Sequence, residues 1–376
     1  MPKVDFVNKE NLIIARENVG MTTQIASRKI TSSGKDLVLA WENGDALPTW
    51  RQVEKLAHAY SIPDLVLLSK NLIKKNKIIP DYRVVDGLWD SDRVKKLVNL
   101  IINRQEWLSR QLKEDGKNEL QGIGSKIKSP KELAILIKEK LNIDIDEIKN
   151  ILGYNARKNV LKYLIKKAED RGIFVGKTVS YHNIEVDEMR GLYISNDYCP
   201  YIVLNRKDAV SAQIFSLIHE LSHLFRRTEA ISNSLEFRKI DTDLNDEEIF
   251  CNKVAVELLL PEEDFNGFSY NKDDIDNFSE IYKVSAIAIF YRLKDLNKIE
   301  INKSKEIEEK IKEELKENLK NKASRAKKNT GGNYTNNMKD SNGGLFNRTV
   351  SKYYNENRIG HTEASNLLKF SVESVW

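Results

Sequence analysis

Two cysteines in 376 residues, Cys199 and Cys251, are too few to build a disulfide framework, and neither belongs to a C-x-x-C pair. The expectation is reduced, partly buried thiols in a cytoplasmic protein. Long apolar runs are lacking too. No stretch approaches the roughly 20 residues that span a bilayer, and the N-terminus lacks the basic-then-apolar pattern of a secretory signal, so no membrane partner is expected. Nor is there a large excess of one charge: 61 Lys and Arg against 56 Asp and Glu leave a net +5 and a pI near 8.8. That balance permits contact with nucleic acid without requiring it. What is there has soluble-globular composition, with charged residues at 31% against an ordinary value of about 25%. The length exceeds one ordinary core and points to two or three domains.

Histidine is also scarce, at five residues, yet two of the five stand four apart in Leu217-Ile218-His219-Glu220-Leu221-Ser222-His223-Leu224-Phe225-Arg226. The run holds no Gly or Pro and reads as a helix. The i, i+4 spacing stacks both imidazoles on one helix face, where they can hold one Zn²⁺. Glu220 is then placed to take a proton from water activated by the ion. The bland alternative is a helix with two surface or hydrogen-bonded histidines. An open catalytic zinc site takes three protein ligands, and His₂Glu is one of its forms. The stretch from Asn245 to Pro261 offers a second helix, with Asn245 or Asp246 as cap, an acidic first turn, and Pro261 where the helix should have stopped. A carboxylate from it can close the site: Glu248 can face a metal while Ile249 and Phe250 are buried. At least one of Glu247 and Glu248 belongs to a solvated first turn.

His219-Glu220-Leu221-Ser222-His223, then Glu248-Ile249-Phe250-Cys251-Asn252, then Leu258-Leu259-Leu260-Pro261 together resemble the ImmA/IrrE family of zinc metallopeptidases. That family has H-E-x-x-H, a later E-x-x-x-N helix that supplies the third ligand, and an L-L-x-P ending. The resemblance covers roughly residues 130–300 and includes Pro200–Asn205 as the strand before the active helix. It implies His219, His223 and Glu248 as metal ligands and Glu220 as general base. Asn252, four residues on along the same helix face, is placed to orient Glu248. Zn²⁺ is the expected ion, and the same ligand set tolerates Mn²⁺.

Ahead of this region, residues 8–68 carry a series of helices broken by short polar turns. Gly44 is suited to stop one of them, and Thr49 to cap the next. Trp41-Glu42-Asn43-Gly44, Pro48-Thr49 and Val53 to Tyr60 resemble an Xre/Cro-type helix-turn-helix domain. The turn Thr31-Ser32-Ser33-Gly34 looks about one residue longer than that family's, and the helix after it offers Lys35 and few other groups for base edges. Leu37, Val38, Leu39 and Trp41 are assigned to the core. Arg28, Lys29 and Lys35 are the phosphate contacts if DNA is bound through residues 8–68. The alternative is a solvated basic face on a vestigial or protein-binding module.

Ile79-Pro80-Asp81-Tyr82-Arg83 reads as a linker, and Asp90 to Lys113 as one long helix with Arg104, Glu106 and Arg110 on its solvated side. Ser129-Pro130 starts another helix, and a further one runs from Asn159 to Arg171. Runs at 173–176, 191–195 and 201–205 read as strands. The strand at 201–205 or that at 191–195 is the candidate edge for a substrate backbone. Tyr198 and Tyr201 are candidate oxyanion donors, with aromatic packing as the alternative, and His182 is read as a surface loop residue. The dense Lys/Glu segment 303–328 is a long exposed helix or a charged linker. The last residues form a small helical lid or docking element in which His361 has no chemical role.

The expected fold class is therefore mostly α (α+β). A helix-turn-helix bundle (1–75) is followed by a linker and long helix (76–128), a zincin-like peptidase domain with a small sheet (129–300), a charged helix or linker (301–330) and a small helical C-terminal element (331–376). The resemblance implies an endopeptidase for a specific regulatory protein, such as an Xre-type repressor, in bacterial stress response, mobile-element or prophage control. Two other classes stay open. One is a DNA- or protein-binding regulator whose zinc domain is a sensor or structural module. The other is a toxin–antitoxin or defence component. Oligomeric state is not legible.

Overall fold

The computed structural model describes residues 3–19, 21–31, 35–60, 62–73, 91–179, 183–228, 231–232, 246–267, 269–326 and 333–375. The turn residues 32–34, the stretch 79–83, His182, Asn245 and residues 327–332 lie outside these. The chain is mostly helical with one small sheet, the expected class.

Five helices come first: α1 (Lys9–Asn18), α2 (Thr23–Ile30), α3 (Leu37–Asn43), α4 (Trp50–Tyr60) and α5 (Asp64–Leu68). They close on a core that includes Leu12, Val38, Trp41, Val53, Leu56 and Tyr60. Local chemistry sets their ends. Asn8 and Thr22 accept from backbone N–H groups at two helix starts, and Gly44 ends α3 at φ +84°. The Gln52 side chain accepts from the Thr49 N–H at 2.7 Å, half of a capping box. Asp36 caps α3 through the Leu39 N–H and accepts from Thr23 Oγ1 at 2.6 Å and Ser27 Oγ at 2.8 Å, which pins α2 against α3. Leu39 departs from its core assignment and is 46% exposed. The seven-residue α3 turns only the face of Val38, Trp41 and Glu42 inward, and Leu39 points about 100° away from Val38.

The remaining helices and strands are α6 (Asp92–Leu112), α7 (Pro130–Leu141), α8 (Ile145–Asn150), α9 (Ala156–Glu169), β1 (Phe174–Lys177), β2 (Gly191–Ile194), β3 (Tyr201–Leu204), α10 (Val210–Arg226), β4 (Ile231–Ser232), α11 (Asp246–Leu259), α12 (Lys272–Tyr282), α13 (Ala286–Asp295), α14 (Ile301–Ala326), α15 (Tyr334–Asn342), α16 (Gly344–Asn355) and α17 (His361–Leu368). The strands order β1-β3-β2-β4. β3 runs parallel to β1 and antiparallel to β2, which is antiparallel to β4. All residues of β2 and β3 are buried because both faces of the sheet are covered. Alternation sends Val175, Tyr193, Ile202 and Leu204 into one core with α7, α9, α10, α11 and α13. Phe174, Leu192, Ile194, Tyr201 and Val203 go to the other face, into a core with α6 and α15 to α17. Residues 334–368 thus pack on the back of the sheet, away from α10. The Lys/Glu segment is helical as far as Ala326, and its Ile307 and Ile311 join the first core.

Two more expectations are corrected. Arg104 is buried in α6 rather than solvated: it lies over the Phe346 ring at 4.6 Å and donates to Asn342 Oδ1. The C-terminal helices cover the face of α6 that carries it. β3 cannot receive a substrate as an edge strand, because β1 and β2 flank it. β2 has a partner in β4 along its first two residues, Gly191 and Leu192.

Candidate metal centre

Helix α10 is buried along almost its whole length, from Ala212 to Phe225. It packs its flanks on the sheet and on α11, which fixes the rotation of the helix and so the direction of both histidines. His219 and His223 are 1% and 0% exposed, and their Nε2 atoms face each other at 3.0 Å. The first turn of α11 brings Glu248 against them. Its Oε2 lies 3.2 Å from His219 Nε2, and its Oε1 lies 3.2 Å from His223 Nε2. Burial opposes ionisation of Glu248, yet hydrogen bonds and charge attraction from His219 and then His223 outweigh it and hold the carboxyl far below the ordinary range.

These donors fit a divalent ion. Three ligands about 2.0–2.1 Å from a tetrahedral centre lie about 3.3–3.4 Å from one another, within a few tenths of the separations present. The donor chemistry agrees, since protons alone cannot satisfy two imidazole nitrogens turned on each other and on one carboxylate as well as a single cation does.

His223 is held from behind. Its Nδ1 lies 2.9 Å from Thr228 Oγ1, which in turn donates to Glu247 Oε1 at 3.1 Å. With its own proton given to Glu247, Thr228 must accept from Nδ1–H, which leaves the Nε2 lone pair for the ion. Arg226 grips Glu247 through Nε and Nη2, lies over the Phe250 ring at 4.3 Å and donates from Nη1 to Ile127 O at 2.7 Å. Glu247 is therefore one link of this chain rather than part of a solvated turn. Cys251 Sγ lies 3.7 Å from the same Nδ1. Burial, followed by the charges of Glu247 and Glu248, pushes its thiol well above the ordinary value. His223, Glu247 and Cys251 also cluster, but the carboxylate there is already neutralised by Arg226. Cys199 is free and buried, its thiol pushed up to about 12 by burial.

Glu220 is wholly buried between α10 and β2. It presses on Gly191 so closely that a Cβ there would sit 2.4 Å from Glu220 Oε1. Only glycine leaves that space. Asn252 is half-buried one turn beyond Glu248 on α11. The tyrosines are placed elsewhere. Tyr201 is on the back face of the sheet, with its hydroxyl donating to Asn342 O at 2.8 Å, so it is not brought to the triad. Tyr198 is in the β2–β3 turn near Lys117. That turn is at the end of β2 opposite Gly191, about 10 Å along the strand. Arg28 and Lys29 are exposed in the last turn of α2, and Lys35 is exposed just before α3. The positioning residues Thr228, Glu247 and Arg226 were missed in the sequence. The one available signal was an Arg three residues after the second histidine and a Glu beside the third ligand, and no spacing rule links them.

Comparison with known proteins places this geometry. A family model described as Peptidase_M78, IrrE N-terminal-like domain, matches residues 175–294. The span runs from β1 into α13 and contains His219, Glu220, His223 and Glu248, so this segment is similar to a family of metallopeptidases. No curated protein and no solved structure matches the chain. No described helix is long and apolar enough to cross a membrane.

Proposed function

We propose that the chain is a zinc-dependent endopeptidase acting on a specific regulatory protein, such as an Xre-type repressor. The observation that carries this reading is the convergence of His219, His223 and Glu248 within 3.0–3.2 Å of one another, with Glu220 one residue from the first histidine. His219, His223 and Glu248 would hold a Zn²⁺ (or Mn²⁺), which when bound would supply Lewis acidity toward water and a peptide carbonyl. Thr228 and Glu247 fix the tautomer and rotation of His223, and Asn252 steadies the helix face that bears Glu248. Glu220 accepts the proton of the attacking water and delivers it to the leaving amine. A purely structural metal site has no use for such a carboxylate beside its ligands, which favours catalysis over a sensor or scaffold role.

The N-terminal bundle is read as an Xre/Cro-type helix-turn-helix, with Arg28, Lys29 and Lys35 as phosphate contacts or as part of a surface for the substrate protein. The test is co-expression of active and Glu220→Gln chains with a neighbouring Xre-type repressor. Glu220→Gln keeps its metal by elemental analysis and loses cleavage by at least about a hundredfold. A repressor fragment produced at the wild-type rate by Glu220→Gln refutes the assignment.

A further inference from the structure

A second concave site lies away from the triad. A groove of about 780 Å³ runs between α9, the outer edge of β1, the start of α10 and the α15–α16 junction. That volume is ordinary for a small-molecule site. Its walls are strongly cationic. Three carboxylates line it, and each is committed to a lining cation: Glu169 to Arg348, Asp170 to Lys166 and Asp340 to Lys177. Lys158, Lys162, Lys339 and Arg206 also line it, and no described carboxylate pairs with them. Arg206 is already oriented, donating to Asn337 Oδ1 at 3.1 Å and Ser341 Oγ at 3.3 Å. Four uncompensated cations around one cavity repel one another, a cost that an anionic ligand removes.

A separate observation concerns Gln213, in the first turns of α10. It is 5% exposed and lines the groove. Its Nε2 donates to Asp208 O at 2.9 Å, which identifies the other terminal atom as oxygen. That Oε1 is buried and accepts from no described group. A buried acceptor left unpaired costs free energy, and a ligand donor satisfies it once the Gln213 side chain turns its Oε1 into the groove. The groove does not suit an added peptide strand, because the edge of β1 is closed. The carbonyl of Val175 is covered, since a Cβ on Gly343, at φ +86°, would lie 1.9 Å from Val175 O.

We propose that this groove binds a small phosphate-bearing ligand of nucleotide size. Its phosphates lie among Lys158, Lys162, Lys339 and Arg206, and a hydroxyl or amino donor meets Gln213 Oε1. The walls come from both cores, α9 and α10 on one side and α15–α16 on the other, so the ligand braces the C-terminal helices against the start of the helix that carries His219 and Glu220.

The test is calorimetric titration of the full chain with ATP, inorganic triphosphate and adenosine at physiological salt. ATP and triphosphate bind saturably and adenosine does not. Lys158→Ala/Lys162→Ala weakens both by about tenfold or more, and Gln213→Leu weakens ATP while leaving triphosphate unchanged. Circular dichroism melts of the variants establish that they are folded. No saturable binding, or binding that survives Lys158→Ala/Lys162→Ala because phosphate sits on the metal or on another basic face, overturns the proposal. Neither result depends on peptidase activity.

Discussion

At the scale of single residues, the triad shows how little of a metal site consists of its ligands. His223 keeps one nitrogen for an ion because its other nitrogen donates a hydrogen bond to Thr228, and Thr228 is turned to accept it because its own hydroxyl donates to Glu247. Replacing Thr228 with Val removes the acceptor while keeping the shape. Metal affinity is then expected to fall about 10- to 100-fold, the usual consequence of losing such a partner, as read by competition with a chelating dye. Unchanged affinity in a folded Thr228→Val chain refutes the orienting role. Gly191 makes the same point from the other side of α10, since Glu220 fits against β2 only because that position has no side chain.

At the scale of elements, polar ties between helices hold α11 and its surroundings in place. Asp264, just after the Leu-Leu-Leu-Pro end of α11, accepts from Lys149 Nζ of α8 at 2.7 Å and from Tyr282 OH of α12 at 2.8 Å. Burial raises its pKa, but Lys149 and then Tyr282 outweigh burial and bring it below the ordinary aspartate value. A folded-state value below the unfolded one means that the stabilisation is fully present above the unfolded pKa, about 4. It is lost as pH falls through the lowered folded value. Asp264→Asn is therefore expected to lower stability by roughly 1 kcal/mol at neutral pH. In urea melts at a series of pH values, the gap from wild type should close below about pH 4. A gap that stays constant down to acid pH contradicts this account. The N-terminal elements use the same device, with Asp36 joining α2 to α3.

At the scale of the whole molecule, one four-stranded sheet separates two cores, and α15 to α17 complete the one that lies behind it. Phe346, Val350, Tyr353 and Leu368 are buried against residues that include Leu97, Ile101, Tyr201 and Val203. A chain ending at residue 326 exposes that face of the sheet. It is expected to lose cooperative melting and near-ultraviolet circular dichroism while retaining much of its helix signal. A truncated chain that melts cooperatively at the wild-type temperature shows instead that the peptidase-like segment stands without these helices.

The sequence by itself determined whatever depends on near neighbours along the chain. It set the i, i+4 histidines with Glu220 between them, the Ser129-Pro130 helix start, the stop at Gly44, the three short β-branched and aromatic strands, and Glu248 in the first turn of a helix that ends before Pro261. Tertiary structure alone decided which side of each element faces what. It buried Arg104, turned Leu39 outward, put Tyr201 behind the sheet, made Glu247 a support of His223 beside Glu248, and brought α9, β1, α10 and α15–α16 around one cationic groove. The reason is physical: helix and strand periods are local properties of the chain. The rotation of an element about its axis is set by contacts between residues that can be more than a hundred positions apart, and those contacts exist only once the cores have closed.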